Sequence, residues 1–317
     1  MSVPEVIDVH VHYTRNRQQE KVVFNHPGWP DEWYNANPEG ISEWFREEGL
    51  SHIFAINYID INRIIDNRVA RLAPGSAEEA EARKDLQGQM TDRVRQFNQW
   101  VCEYAASESR VTPYVNVDIG VFYGDQQAMM DELDTRLAAG AKGVKIHPGL
   151  SRFYPGDEKM FPLYEKLSSL GVPILSDSGA AGGKGPEGSG PYGEPVNFYP
   201  VFEKFPNLRF IMAHLTTAFW DERIDLARRF PQVQFDISGG FFQPNSNGRA
   251  RDAHRCVPIE DAARFLKTIG TDRCMFGTDA PGSEVRGYVR TIMGIDLSDT
   301  EKEDILAKNA RRFMDIK

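Results

Sequence analysis

The chain has 317 residues, 41% of them hydrophobic and 26% charged, a balance that suits a globular fold and argues against a disordered chain. Thirty-seven Lys and Arg against 46 Asp and Glu leave a net charge of −9, which argues against a nucleic-acid or anionic-membrane surface. Cys102, Cys256 and Cys274 lie far apart and form no CxxC pair, so a reducing compartment is expected and a thiolate zinc cage is not.

The first residues, MSVPEVIDVHVHY, hold neither a basic stretch nor an apolar leader core, and no 18-residue apolar run follows. The expectation is a soluble cytoplasmic protein. Strands are predicted over 5–9, 52–56, 111–117, 142–147, 172–176, 208–213, 233–237 and 273–277, each rich in β-branched or aromatic residues and bounded by Gly, Pro or polar residues. Helices are predicted over 39–49, 77–109, 125–139, 157–170, 219–230, 258–269 and 299–308. The longest carries Leu86, Met90, Val94, Phe97, Val101 and Tyr104 at three- and four-residue steps, with Ser76 and Glu79 at capping-box spacing. Gly140, Gly171 and Gly270 sit where helices should stop.

Strands alternating with helices imply parallel pairing, and eight is the number that closes a (β/α)8 barrel, although two doubly wound sheets would also alternate. The glycine-rich stretch 179–195 follows the fifth strand and reads as a loop over the active-site face.

A barrel enzyme keeps its chemistry at the strand C-termini, and polar residues recur there. The first strand ends in His10 and His12, two residues apart and so on one side, where both imidazoles can reach one ion. An isolated HxH is also common as packing. The fourth strand carries Lys145 and His147, the fifth Asp177, the sixth His214 and the eighth Asp279. Buried carboxylates in such places need a partner, a hydrogen bond or a cation. Arg249 and Arg251, with His254 and Arg255, make a basic cluster after the seventh strand that could anchor a substrate carboxylate or merely face solvent. Arg15 and Arg17 are a second candidate anchor, and Tyr13 with Trp29 and Trp33 a candidate aromatic wall, core packing being the alternative. His52 falls at the opposite end of the barrel, and His26 reads as a turn residue.

In order along the chain, IDVHVH, GAKGVKIHP, GVPILSDSG, FPNLRFIMAHL, FPQVQFDISG, IGTDRCMFGTDAP and ILAKNARRFM resemble the amidohydrolase superfamily, in the branch that includes aminocarboxymuconate-semialdehyde decarboxylase. The resemblance implies a distorted TIM (β/α)8 barrel, one domain over 1–317 with insert loops at 13–38, 179–197 and 240–257. It implies His10, His12 and Asp279 as metal ligands, with Asp279 also handling a proton and His214 polarising substrate or acting as acid and base; Asp177 is expected as a further carboxylate ligand, or as a base where the metal is weak or absent. Lys145, His147, Arg249, Arg251, Tyr13 and Arg15 are the expected substrate contacts. Asp177 departs from the pattern, since the family usually ends this strand in histidine. One divalent ion is expected, zinc first, with manganese or magnesium suited to a more oxygen-rich site and metal-free catalysis as the remaining option. The implied reaction is hydrolysis of an amide, ester or lactone in a small carboxylated substrate by activated water. The alternatives are a decarboxylase on the same metal site and a catalytically degenerate binding barrel. The partner is a small molecule, with neither nucleic acid nor membrane, and a homodimer is compatible with the resemblance.

Overall fold

The computed structural model describes residues 4–24, 31–178, 191–216, 219–240, 257–281 and 285–316. Eight strands run in chain order around one sheet: β1 Val6–His12, β2 Leu50–Ile56, β3 Val111–Asn116, β4 Gly143–Ile146, β5 Ile174–Asp177, β6 Phe210–Ala213, β7 Val233–Asp236 and β8 Cys274–Met275. All seven pairings between neighbours in that order are parallel. With the intervening helices outside, this is the expected distorted (β/α)8 barrel.

Strand alternation divides the core in two. Ile7, Val9, Phe54, Ile56, Tyr114, Leu175, Ile211, Ala213 and Met275 fill the barrel interior. Their neighbours, such as Val6, Val115, Ile174, Phe210 and Phe235, pack outward against the helices. Gly143 faces Tyr114, whose ring would lie 2.3 Å from an added Cβ, so the barrel takes this large ring only opposite a glycine.

The strands match their predicted positions closely, except that β8 shrinks to two residues. The long helix spans Ala77–Ser107; Ser76 Oγ accepts the Glu79 amide at 3.1 Å, while the Glu79 carboxylate reaches the Gly75 amide at 2.6 Å instead of that of Ser76. Gly171 ends the helix Phe161–Leu170 at φ 66°, the left-handed cap its position requires. The predicted helix 39–49 is an α-turn over Pro38–Glu43 followed by a π-turn over Trp44–Glu48. Helices over Arg17–Phe24, Ile61–Val69, Tyr199–Lys204 and Val285–Gly294 went unpredicted, being short or polar on most faces.

Fully buried Glu20 joins the two described parts of the predicted insert, accepting the Ala36 amide at 2.9 Å and the Asn37 amide group at 2.8 Å. No helix among the described residues is long and apolar enough to cross a membrane.

The barrel closes between β1 and the segment after β8 by a few contacts. Val9 N donates to Phe276 O at 3.0 Å and His12 N to Ala280 O at 2.7 Å. Asp8, fully buried, accepts the Thr278 hydroxyl at 2.6 Å and its amide at 3.1 Å. Burial raises the Asp8 carboxyl to about 7 despite these donors.

Candidate active site

A register shift between Asp8 and Val11 decides what β1 presents. Ile7, ahead of it, and Val9, within it, point into the barrel, and after it Val11 points out toward the helices. The bulge lets His10 and His12 both face the mouth above an apolar interior. Asp279 approaches from the opposite side of the closure. Its Oδ1 lies 2.9 Å from His12 Nε2 and 3.5 Å from His10 Nε2. One ligand atom from each of these three residues lies within 4.8 Å of the others.

Asp236, at the end of β7, completes this group. Its Oδ2 stands 2.5 Å from His10 Nδ1 and also accepts the Ser238 hydroxyl at 2.8 Å. Burial and the nearby Lys145 push the His10 imidazole down to about 3, so it is a neutral ring with its proton on Nδ1 and its lone pair on Nε2. A carboxylate behind a histidine in this way fixes the tautomer and aims the free nitrogen, as it does behind metal-binding histidines. Gly277 leaves room for it, because a Cβ there would stand 2.3 Å from Asp236 Oδ1. Lys145 Nζ lies 3.3 Å from His10 Nε2, and burial lowers its pKa.

The second group gathers around Asp177. Its Oδ2 lies 3.4 Å from His147 Nε2 and 3.3 Å from His214 Nε2. Burial opposes ionisation of this carboxyl, but the two histidines and Lys145 outweigh it and hold the group well below the usual carboxylate range. His147 Nδ1 accepts the Leu150 amide at 3.3 Å, which puts the ring proton on Nε2, toward Asp177. Burial holds that ring neutral, down at about 4. His214 differs. Its Nδ1 faces the Ser238 carbonyl at 3.2 Å and its Nε2 faces Asp177, so both nitrogens meet acceptors. Burial works against the charge, yet the Asp177 and Asp279 carboxylates raise the pKa of His214 and favour the imidazolium. The His10 and His214 rings stand 5.0 Å apart, so the two groups adjoin.

His214 and Asp279 both adopt left-handed backbone, at φ 62° and 57°. That conformation costs a non-glycine residue roughly 1–2 kcal/mol. Strain of this kind gathers at functional sites, and here it occurs in two of the residues that line the mouth.

Not all the expected residues converge. His10, His12 and Asp279 come together, whereas Asp177 sits with His147 and His214 instead. His147 spends both nitrogens on protein neighbours. Tyr13 is 5% exposed and stacks on Tyr104 with centroids 4.9 Å apart, in the layer between strands and helices. Arg15 lies over the Trp100 ring at 5.1 Å. These two therefore serve outer packing. Arg249, Arg251, His254, Arg255, His26 and Trp29 lie outside the described residues. His52 bonds Thr112 Oγ1 at 2.7 Å, at the opposite end of the barrel.

Three residues of the site carried no expectation from sequence. Asp236 ends its strand as Asp177 does and was visible by the same rule. Asp118, two residues past β3, accepts the Val121 amide at 2.9 Å and the Ser151 hydroxyl at 3.1 Å beneath His147. Tyr58, two residues past β2, lays its ring on His147 at 4.6 Å. A lone tyrosine after a strand has no sequence signature.

A parallel eight-stranded barrel with a His-His-Asp group at its strand C-termini belongs to the class of barrel enzymes that build their active sites on that face. A family model described as "Amidohydrolase" matches residues 7–316, and the chain belongs to the amidohydrolase family. Among solved structures, an uncharacterised TIM-barrel protein from Bordetella bronchiseptica is 19% identical, with 98% of each chain covered and a TM-score of 0.66. A dihydroxybenzoic acid decarboxylase from Polaromonas, solved with manganese and the inhibitor 2-nitroresorcinol, is 15% identical over 100% of this chain and 98% of that one, at a TM-score of 0.66. The 5-carboxyvanillate decarboxylase of Sphingomonas paucimobilis is 14% identical over 99% and 100% of the two chains, at 0.64. At these identities the likeness shows the fold. No curated protein matches the chain.

Proposed function

We propose that this chain is a metal-dependent enzyme acting on a small carboxylated substrate, and that its reaction is non-oxidative decarboxylation. The observation that carries the reading is the adjacency of two unlike groups: the His10–His12–Asp279 triad and, 5.0 Å from His10 ring to ring, a histidine whose two nitrogens both face acceptors. The first suits a cation and the second is a proton source. Full-length likeness to structures described as decarboxylases supports the choice.

The triad fits a divalent ion on its own chemistry. Two imidazole nitrogens and one carboxylate oxygen suit zinc, manganese or iron, and His10 is already turned by Asp236 with its lone pair toward the other two. When bound, the ion supplies a Lewis-acid anchor for substrate oxygens. The remaining work falls to the chain itself. Lys145 places positive charge beside the carboxylate to be lost. As the C–C bond breaks, its electron pair stays on the substrate carbon and the carboxylate leaves as CO2. The His214–Asp177 pair, which shares the Nε2 proton, supplies a proton to that carbon, and solvent returns it afterward. Asp177 orients His214 and favours its charged form.

Hydrolysis is the second reading. It rests on Asp279, whose carboxylate borders both triad histidines and is 18% exposed, placed to take the proton of an attacking water. The two readings part on product analysis. Manganese-loaded enzyme in H2(18)O, offered a panel of aromatic carboxylic acids, esters and lactones, should release CO2 and yield a product without the label. Labelled product without CO2 would transfer the assignment to hydrolysis, and no turnover of any panel member would count against both.

A further inference from the structure

One hydroxyl lies between the two groups of the mouth. Ser238, fully buried two residues past the end of β7, places its Oγ 2.8 Å from Asp236 Oδ2, 3.1 Å from His214 Nδ1 and 3.3 Å from His10 Nδ1. A hydroxyl has one proton to give, and its neighbours decide where that proton goes. His10 Nδ1 already donates to Asp236, and His214 Nδ1 lies 3.2 Å from the Ser238 carbonyl, which only a donor can satisfy. Of the three neighbours the carboxylate alone accepts, so the proton goes to Asp236. The hydroxyl's lone pairs are left facing the two imidazole N–H groups.

Ser238 grips the same carboxylate a second time, its amide donating to Asp236 Oδ1 at 2.7 Å. Both oxygens of the group behind His10 are thus held by one residue. His214 is held from the other side, its Nδ1–H shared between the Ser238 hydroxyl and carbonyl. The backbone keeps β6 and β7 in step at this level, since Leu215 N donates to Asp236 O at 2.9 Å. We infer that Ser238 is the positioning residue that joins the cation group to the proton-donor group. Through Asp236 it aims His10, and through its own hydroxyl and carbonyl it holds the Nδ1 proton of His214, leaving Nε2 toward Asp177. It touches neither ion nor substrate, and the inference rests on the metal-dependent reading above. Loss of this one hydroxyl should therefore disturb two functions carried by different strands.

The test uses full-length wild type, Ser238→Ala, Asp236→Asn, their double variant and Ser178→Ala. Ser178 is a control, a buried serine whose hydroxyl donates to the Ala213 carbonyl at 2.7 Å. Manganese affinity, read by chelator competition, should fall about tenfold in Ser238→Ala. Adding Ser238→Ala to Asp236→Asn should cost less than about threefold more, because both act on the ion through one carboxylate. With manganese saturating, kcat on the substrate found in the panel should fall about tenfold while KM stays within about threefold. Ring-nitrogen NMR of the metal-free proteins reads the two histidines without any ion. Ser238→Ala should shift the Nδ1 signals of both His10 and His214, and Ser178→Ala neither. Unchanged manganese affinity or kcat, additive losses, a shift confined to one ring, or an equal loss in Ser178→Ala overturns the inference and leaves the metal-dependent reading intact. Should Ser238→Ala fail to fold, Ser238→Cys keeps the volume with a weaker donor and decides the same question. Wild type that takes no manganese defeats the proposed function, and the two ring signals then decide by themselves whether the hydroxyl joins the groups.

Discussion

The two ends of this barrel handle polar groups in opposite ways. At the floor, where the strands begin, the chain supplies the partners itself. Arg110 forks onto Glu108 at 2.8 and 2.7 Å, Arg311 meets Glu5 at 3.0 Å, and His52 bonds Thr112 at 2.7 Å. At the mouth, Asp177 Oδ1, His12 Nδ1 and the Tyr58 hydroxyl are buried with no partner among the described residues. Unmet polar atoms cost stability, so the mouth carries a cost that these floor pairs do not. The floor is finished by folding. The same contrast runs through the backbone, since His214 and Asp279 hold left-handed conformations at the mouth.

That contrast can be broken by experiment. The largest effect should come from His10→Ala, which removes one of three converging donors; bound manganese should fall from about one equivalent to none and turnover with it. A melting temperature that stays near wild type in the absence of metal would confirm that His10 serves the ligand and not the fold. The reverse outcome is expected just below it. Leu175→Ala empties a fully buried position in the barrel interior and should cost about 2–5 kcal/mol by denaturant titration, with manganese stoichiometry unchanged. Gly277→Ala probes the boundary. Its new Cβ would crowd Asp236 Oδ1 at 2.3 Å and His10 Cβ at 3.1 Å, so both stability, by about 1–3 kcal/mol, and metal affinity should suffer. Unchanged metal affinity there would mean that Asp236 does not orient His10.

A smaller effect is expected of pH at Asp118. Burial raises this carboxyl to about 6, above its unfolded value of about 3.9. A raised folded pKa means that the contribution of Asp118 to stability is complete below the lower value and is lost as pH climbs through the higher one. Between pH 4 and 7 the wild-type melting temperature should therefore fall relative to Asp118→Asn. Parallel curves would remove Asp118 as the cause. The smallest effect belongs to the floor: Arg311→Ala, which removes a partly exposed pair, should cost about 1 kcal/mol or less and leave catalysis untouched.

Sequence told most where periodicity and strand-end polarity coincide. The eight strands were readable because each is a short apolar run with clear boundaries, and His10, His12, Lys145, Asp177, His214 and Asp279 were found because all sit at or just past strand ends. What escaped depends on contacts across the fold. The bulge that turns β1 toward the mouth has no local signature, and Asp177 could be assigned to the metal or to the histidines only once the strands were arranged side by side. Asp236 is the exception, since it ends its strand just as Asp177 does. Tyr13 and Arg15, close in sequence to His12, look outward because the chain leaves the mouth immediately after that residue.

The sparse closure has a consequence for how the molecule comes apart. Asp8 and Thr278 join positions 270 residues apart, and beside them the first strand and the segment after the last pair through only a few contacts. His10 and His12 stand on one lip of this seam and Asp279 on the other. An ion held by all three would act as a removable cross-link between the two ends of the chain. As with a covalent staple, its effect would come from forbidding the separation of distant segments. At a hundredfold excess over its dissociation constant it would add about 2.7 kcal/mol. Chelation should then be felt first as faster amide exchange in β1 and along the segment following β8, while the strands on the far side of the ring remain protected.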